Sequence, residues 1–205
     1  QERILSGNLD DINNWDVSNV RNMRSMFENC SNFTGNGLAN WDVSNVTDMG
    51  CMFSHCSNLT GEGLENWDVS NVTDMGYMFW CCSNFTVEGL ENWDVSNVTD
   101  MSQMFYKCIN FTGEGLGNWN VSNVTDMSYM FSNCRNFTEG LGNWDVSHVT
   151  DMNNMFNQCI NFTGGSEGLG NWDVSNVTDM SYMFNFCHNF TGDGLANWNV
   201  SNVTD

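Results

Sequence analysis

The sequence predicts a repeat solenoid in which each coil of about 26 residues contains one short parallel β-strand and one short helical or 3-10 turn. Tryptophan recurs at positions 15, 41, 67, 93, 119, 144, 172 and 198, in steps of 26, 26, 26, 26, 25, 28 and 26 residues. Nearly the same order follows each of them: W-[DN]-V-S-[NH]-V, T-D-M, M-F, a cysteine, N-F-T and G-L-x-N. A unit this small cannot bury its own apolar face, so it must stack on its neighbours.

The strand is predicted in the segment around each tryptophan. In the template repeat, Leu38, Trp41 and Val43 have the L-x-x-L-x-L spacing of a leucine-rich-repeat strand. Side chains alternate across a strand, so Trp41 and Val43 point one way while Asp42 and Ser44 point the other. This spacing makes the predicted solenoid leucine-rich-repeat-like.

The helical or 3-10 turn is predicted directly after this strand. Apolar residues fall there at steps of 3, 3, 1 and 3, namely at Val46, Met49, Met52, Phe53 and Cys56. Such a stripe is long enough for one or two turns, and Asp48 stands where it can cap the free N–H groups. The glycine-rich segment 61–63 then leads to the next strand. All variation in repeat length lies in this segment, at 137–141 and 162–169, as is usual for surface loops.

We predict two regions in the chain. Residues 1–11 are an irregular N-terminal lead-in, and residues 12–205 form a single solenoid of about 7.5 repeats. The sequence stops in mid-repeat, at 201–205, and begins without an initiator methionine or a signal peptide. We therefore expect it to be part of a longer array.

The charge of the chain restricts its partners. There are 25 acidic residues against 5 basic ones, a formal net charge of −20. Binding to nucleic acid or to anionic lipid depends on lysine and arginine, so neither is an expected partner. No apolar run is long enough to insert into a membrane. Cations, basic proteins and neutral glycans remain open as partners.

The repeat resembles a known family. The order V-x-x-V-x-x-M-x-x-M-F-x-x-C-x-x-F, read from Val43 to Leu59, is similar to that of the BspA-like leucine-rich-repeat surface proteins. The branch whose repeat begins W-D-V-S-N-V-T-D-M is the best match, and the resemblance spans nearly the whole chain. It implies a leucine-rich-repeat solenoid displayed at a cell surface, often in adhesion or matrix, and it implies no enzyme.

The cysteines form one regular ladder and one irregular pair. The ladder lies 15 residues after each tryptophan: Cys30, Cys56, Cys82, Cys108, Cys134, Cys159 and Cys187. We interpret it as a column of small buried thiols, although neighbouring coils are close enough for disulfides. Cys51 and Cys81 lie outside the ladder on adjacent repeats, and we treat them as a disulfide candidate.

Two columns of N-x-[ST] sequons are the most informative exposed feature. The second sequon of each repeat is intact in seven of seven cases: Asn32, Asn58, Asn84, Asn110, Asn136, Asn161 and Asn189. We predict N-glycosylation there, with an asparagine turn ladder as the alternative. The first column is interrupted at Asn19 and His148, and we interpret it mainly as turn chemistry: Asn45, Asn71, Asn97, Asn123, Asn176 and Asn202.

Carboxylates stack as well. One column lies on the outward face of the predicted strand: Asp16, Asp42, Asp68, Asp94, Asp145 and Asp173. A solvated surface accounts for it, and the alternative is calcium bridging along Asp42, Asp68 and Asp94, because hard cations prefer oxygen ligands. No confident metal site is predicted, since the aspartate and glycine spacing of known calcium loops is missing.

No catalytic constellation occurs, because a repeated Ser or Asp lacks the asymmetric arrangement that catalysis needs. We therefore predict an extracellular structural or adhesive protein that carries N-linked glycans and stacks end to end into filaments. The alternative is a cell-surface recognition module that binds a protein or a glycan through its strand face. Trp80 and Tyr106 occupy a usually polar position and suggest a small aromatic patch.

Overall fold

Successive repeats stack on one another along the chain. The computed structural model describes residues 9, 11–86, 89–165 and 168–205. The predicted lead-in at 1–11 therefore lies mostly outside the described residues, as does part of the predicted glycine-rich insertion at 162–169. The five central repeats, which begin at Trp41, Trp67, Trp93, Trp119 and Trp144, bury the same apolar positions, and the first and last repeats bury them partly. We call each repeat a coil.

The regular elements of the coil are short. Five 3-10 helices are present in the described residues: Ile12–Asn14, Leu64–Asn66, Leu90–Asn92, Leu116–Asn118 and Leu195–Asn197. They lie in the G-L-x-N segment before the tryptophan, whereas the sequence predicted the helical turn after it. The glycine opens this turn because it adopts a left-handed backbone, with φ of +92° at Gly63.

The segment after each tryptophan forms two consecutive β-turns in place of the predicted helical turn. In one coil the N–H of Met52 donates to the carbonyl of Met49 at 3.1 Å, and that of Cys56 donates to Phe53 at 2.9 Å. The third residue of each turn, Cys51 or His55, has φ near +60° (57° and 62°). That conformation defines a type II turn and prevents a continuous helix.

These turns carry the main backbone connection between coils. The N–H groups of Met49, Cys51 and Phe53 donate to the carbonyls of residues 74, 76 and 78 in the next coil, at 2.9–3.0 Å. Isolated parallel bridges mark the start of this ladder, at 22 and 48, 48 and 74, 74 and 100, 100 and 126, 126 and 151, and 151 and 179. We call this surface, residues 48–57 and their equivalents, the turn face.

The predicted strand segment is extended but joins its neighbour through side chains. Trp67 has an extended backbone, with φ of −73° and ψ of 132°. Its indole Nε1 donates to the carbonyl of Leu38 in the preceding coil at 3.0 Å, and the side-chain amide of Asn71 donates to Ser44 at 2.8 Å. No strand is assigned there in the described residues, because alternation of side chains does not by itself supply a backbone ladder.

The interior is a set of stacked side-chain columns. The rings of Trp41 and Trp67 stack with centroids 6.3 Å apart and planes 2° apart, and those of Phe53 and Phe79 stack at 5.8 Å. Valines, methionines, leucines and cysteines fill the space between these columns. Coils of unequal length keep the register, since Trp172 still donates to Leu141 at 2.9 Å across a separation of 31 residues.

Candidate functional site

The cysteine ladder lies in the core. Its five central members are buried free thiols: Cys56, Cys82, Cys108, Cys134 and Cys159. Each donates to a carbonyl of the preceding coil, as Cys108 does to Phe79 at 3.0 Å. Burial raises the pKa of Cys56 to about 12 and raises that of Cys108 well above its usual value. These groups therefore pack as neutral hydrogen-bond donors and are poor nucleophiles.

Cys51 and Cys81 lie on the turn face. Both are half-buried free thiols in the structure, and burial raises the pKa of each. They occupy different turns of their coils, since Cys51 is the third residue of the first turn and Cys81 is the third residue of the second. The backbone N–H of Cys51 is bonded to Gly76 and that of Cys81 to Tyr106. The disulfide between them stays a prediction.

The first sequon column joins the coils. The side-chain amide of Asn97 donates to the carbonyl of Ser70 at 2.7 Å, and Asn123 donates to Ser96 at the same distance. The threonine two residues later is also engaged, as Thr99 Oγ1 donates to the carbonyl of Thr73 at 3.2 Å. The amide nitrogen that would carry a sugar thus already holds neighbouring coils together.

The second sequon column is exposed in all seven positions. Its side chains lack the regular bond of the first column: Asn110 donates to Ser83 at 2.9 Å, and Asn84 makes a long contact with Asn58 at 3.4 Å. The phenylalanine or leucine between each asparagine and threonine points into the core, and Phe85 is fully buried. Asparagine and threonine are thereby turned to the same outer side.

The outward aspartates form local turns. Asp42 is exposed, and one carboxylate oxygen accepts the N–H of Ser44 at 3.1 Å and its hydroxyl at 2.6 Å. These bonds lower the pKa of Asp42. Asp68 and Asp94 make the same backbone contact with Ser70 and Ser96. One oxygen of each carboxylate is consequently committed within its own coil.

A second aspartate column lies at the start of the turn ladder and is half-buried: Asp48, Asp74, Asp100, Asp126, Asp151 and Asp179. Each accepts the N–H two residues later, as Asp126 does from Ser128 at 2.8 Å. Arg24 spans two coils and contacts Asp74 at 2.7 Å and Asp48 at 3.5 Å. Burial raises the pKa of Asp126. Keeping this carboxylate ionised in the middle of the column therefore costs free energy in the folded state.

The turn face is also where the coils differ from one another. Four columns of this face vary from coil to coil. The first contains Tyr77, Gln103 and Tyr129, and the second contains Trp80 and Tyr106. The third contains His55 and Lys107, and the fourth contains Ile109 and Arg135. Most other outward columns repeat Asp, Ser, Asn or Thr, and the glycine-rich segment varies only among small and acidic residues, as at Ala39, Glu65 and Gly117. The turn face therefore carries the local variety that specific recognition requires.

Comparison with known families places the chain. The family model described as "Mycoplasma protein of unknown function, DUF285" matches residues 2–111, 81–167 and 164–205. The chain belongs to the DUF285 family. Three successive matches along one chain are those of a repeat protein. Neither the curated proteins nor the solved structures contain a significant match to it.

The described residues of this DUF285 chain contain neither a membrane-spanning helix nor a cluster of metal ligands. No helix there is long and apolar enough to cross a membrane. In the same ranges, no group of three or more His, Cys, Asp or Glu side chains is placed to hold a metal ion. Calcium along Asp42, Asp68 and Asp94 stays a prediction.

The sequence drew attention to Trp80 and Tyr106 but missed the rest of this surface. In the DUF285 coil, residues such as Gln103, Lys107 and Arg135 sit on one face because two left-handed residues per coil reverse the chain. The signal was available in the alignment of repeats, since these columns vary while their neighbours do not. Without the turns, the columns could not be assigned to a common face.

Proposed function

We propose that this DUF285 protein is an extracellular structural or adhesive repeat protein, built as a leucine-rich-repeat solenoid of the BspA-like kind. The observation that supports it best is that the hydrogen bonds between neighbouring coils, which we call the joints, repeat along the chain. Neighbouring coils are attached by the same tryptophan, threonine, cysteine and asparagine bonds, as for Trp67, Cys82 and Asn71; at one joint His148 replaces the asparagine. Joints that repeat in this way allow many coils to stack into a uniform rod, and most of the surface of that rod is the same along its length.

N-linked glycans belong on the second sequon column in this proposal. The exposed side chains of Asn58, Asn136 and Asn161 can accept a sugar without disturbing a joint. By contrast, a sugar on Asn97 would be attached at the nitrogen that donates to Ser70. A one-sided sugar coat would protect an adhesive rod from proteolysis and aggregation.

The test is peptide mass spectrometry of protein purified from its native source, before and after treatment with an amide-cleaving glycosidase. The proposal expects conversion of asparagine to aspartate in the second column, with the first column as the internal control. Unmodified Asn58, Asn136 and Asn161 would end the glycan part. Equal modification of Asn97 would contradict the structural argument.

End-to-end stacking of copies is the second part of this proposal. The N–H groups of Tyr182, Phe184 and Phe186 point out of the last coil, and no described residue accepts them. At the other end, the carbonyls of Arg24 and Met26 accept no N–H from a described residue. Donors on one side and acceptors on the other allow the ladder to continue, either into further repeats of the same array or into a second copy that meets it head to tail.

Sedimentation and electron microscopy over a range of concentrations test this stacking. Val200 is half exposed on the end face (50%), so Val200→Lys should prevent association by placing a charge between copies. Ile160→Lys is the matched control, because it adds the same charge in an inner coil, at an exposed position (36%) whose column accepts the native Arg135. Single short rods at every concentration, or equal association of both variants, would refute stacking.

A recognition module is the second candidate, and one observation favours it. The variable residues share the turn face, which would then replace the predicted strand face as the binding surface. Presentation of a surface patch on a long rod is compatible with an adhesive protein. Calcium bridging of Asp42 and Asp68 is a separate proposal, and unfolding temperatures with calcium or with a chelator test it: equal values would reject it.

A further inference from the structure

The centre of the turn face concentrates large aromatic, apolar and cationic side chains at positions that hold small polar residues in most other coils. Trp80, Tyr106, Lys107, Ile109 and Arg135 come from three successive coils. At the equivalent positions the other coils have residues such as Ser54, Ser132, Asn133 and Ser83. Serine and asparagine are thus sufficient for folding at these positions.

The aromatic side chains form a row that crosses the coils. His55 packs edge-on against Trp80 at 4.4 Å between ring centroids. Trp80 and Tyr106 follow each other at 6.0 Å with planes 32° apart. Each of the three rings is partly exposed, so the row offers a continuous apolar surface.

Trp80 differs from the tryptophans of the core. The indole nitrogens of Trp67, Trp93 and Trp119 donate to carbonyls of the preceding coil at 2.8–3.0 Å. Trp80 Nε1 is buried, and no described residue accepts its hydrogen. A buried donor without a partner costs about 1–3 kcal/mol. This cost offsets part of what the packing of the Trp80 ring contributes to stability.

Two cations adjoin the aromatic row. The ammonium of Lys107 lies 5.2 Å from the centre of the Tyr106 ring, a cation–π distance. Lys107 and Arg135 also line a groove of about 270 Å³ together with Cys81, Ser83, Ile109 and Asn133. Both cations are exposed, and neither forms an ion pair with a described carboxylate. In a chain with 25 acidic residues, two unpaired neighbouring cations are available for an external anion.

We propose that this groove and the aromatic row bind an acidic oligosaccharide, one that carries carboxylate or sulfate groups. Lys107 and Arg135 hold the anionic group in the groove, and Asn133 supplies an amide beside them. An adjoining sugar ring contacts the exposed parts of Tyr106 and Trp80 with its apolar face. A few polar groups beside aromatic surface are the usual composition of a ligand site, and the groove accommodates one ring of the ligand.

An acidic peptide fits this surface less well. Extended peptides gain affinity from main-chain hydrogen bonds to an open edge. Here the backbone is already used, since the N–H of Cys81 donates to Tyr106 at 2.7 Å and that of Lys107 to Ser132 at 2.9 Å. Sugar rings need no such edge. The net charge of −20 repels any anion at long range, but salt screens this beyond about 8 Å at physiological ionic strength.

The test is calorimetric titration with an oligogalacturonate tetrasaccharide, its methyl-esterified neutral form, and a glutamate octapeptide as probes. The coils themselves supply conservative variants. Trp80→Ser, Lys107→Asn and Arg135→Ser each introduce the residue found in the same column of another coil. Tyr182→Asn is the matched control, since it removes a more exposed aromatic side chain (69%) in favour of the residue at Asn154. Circular dichroism verifies that all four fold.

Binding of the acidic tetrasaccharide, weakened about tenfold by each of the three site variants and unchanged in Tyr182→Asn, is the expected result. Equal binding of the neutral ester would overturn the role of the cations. Tighter binding of the glutamate peptide would replace the saccharide by an acidic protein. No binding, or binding that the variants leave intact, would overturn the site.

Glycans of the proposed second column would border this groove, because Asn110 and Asn136 directly follow Ile109 and Arg135. The titration is therefore made on recombinant protein produced without glycosylation, which keeps Asn110 and Asn136 uncharged, and repeated on native material. Loss of binding in native material alone would mean that attached sugars cover the groove in place of an external ligand, and it would reject external recognition by the native protein. The glycan proposal itself is decided separately, by the peptide masses.

Discussion

The indole nitrogen of Trp119 donates a hydrogen bond of 2.8 Å to the backbone carbonyl of Leu90, one coil earlier. The tryptophan is 4% exposed, so this polar bond lies within the apolar column. It joins Trp119 to the first residue of the 3-10 helix Leu90–Asn92, in a part of the coil where no strand is assigned in the described residues. The regular tryptophan spacing in the sequence is thus the spacing of a joint between coils.

Replacement of this tryptophan should destabilise the protein. Trp119→Phe removes the donor, leaves the carbonyl of Leu90 with only the N–H of Trp93 as a partner, and opens a small cavity. We expect a loss of about 2–4 kcal/mol in the free energy of unfolding, measured by urea denaturation. Trp80→Phe makes the same chemical change where the nitrogen has no described partner, so it should be neutral or slightly stabilising. Equal losses in both variants would contradict the role of the joint.

The thiols should differ sharply in reactivity. Alkylation of native protein at pH 8 should label Cys51 and Cys81 on the turn face well before Cys108 and Cys134, which are fully buried. Burial raises the pKa of all four thiols. Only the thiols of the ladder, Cys108 and Cys134, are also inaccessible to the alkylating reagent. Mass spectrometry of peptides after timed quenching measures the order. Uniform labelling in the folded protein would be inconsistent with a packed ladder.

The half-buried aspartate column should limit stability at neutral pH. The folded-state pKa of Asp126 is raised by burial, so its protonated form favours folding below the ordinary pKa near 4. That contribution is lost as pH rises through the folded value. Asp126→Asn should therefore unfold at a higher urea concentration at pH 7, with a gain that shrinks towards pH 3.5. Asn22 shows that asparagine can occupy this column, since its side-chain oxygen accepts the N–H of Arg24 at 2.9 Å.

Asp42→Asn should change the pH dependence of stability in the opposite direction to Asp126→Asn. The serine bonds lower the pKa of Asp42, so its contribution is present above the ordinary value and is lost as pH falls. This variant should show no gain at pH 7. A gain in both variants would point to general charge repulsion and away from burial as the cause.

The left-handed turn residues should respond to substitution. Gln158 has φ of +62°, and asparagine tolerates this region better than most side chains. Gln158→Asn, which copies Asn133 in the same column, should raise the unfolding free energy by up to about 1 kcal/mol. Gly113→Ala should have the opposite effect and destabilise the protein. At φ of +83° its added methyl would overlap the ring of Phe137, so thermal unfolding should occur earlier by several degrees.

The sequence correctly predicted which side chains are buried in a coil. Trp41, Val43, Met49 and Cys56 follow from spacing alone, because a repeated apolar position must face the shared interior. The predicted secondary structure was less accurate. The stripe from Val46 to Cys56 matched a helical period, yet non-glycine residues with positive φ, which sequence patterns seldom signal, turn it into paired β-turns.

The sequence by itself determined the repeat, its register and its apolar columns, since all three are properties of periodic composition. Only the tertiary structure decided which polar residues are joints and which are free surface. Asn97 and Asn136 are both sequon asparagines, but the coil one step earlier places a carbonyl against the first at 2.7 Å, whereas the second is exposed on the outer side. It also gathered Trp80, Lys107 and Arg135 on one face. The physical reason is that the partners of a polar side chain come from the neighbouring coil, and the path of the backbone decides where that coil lies.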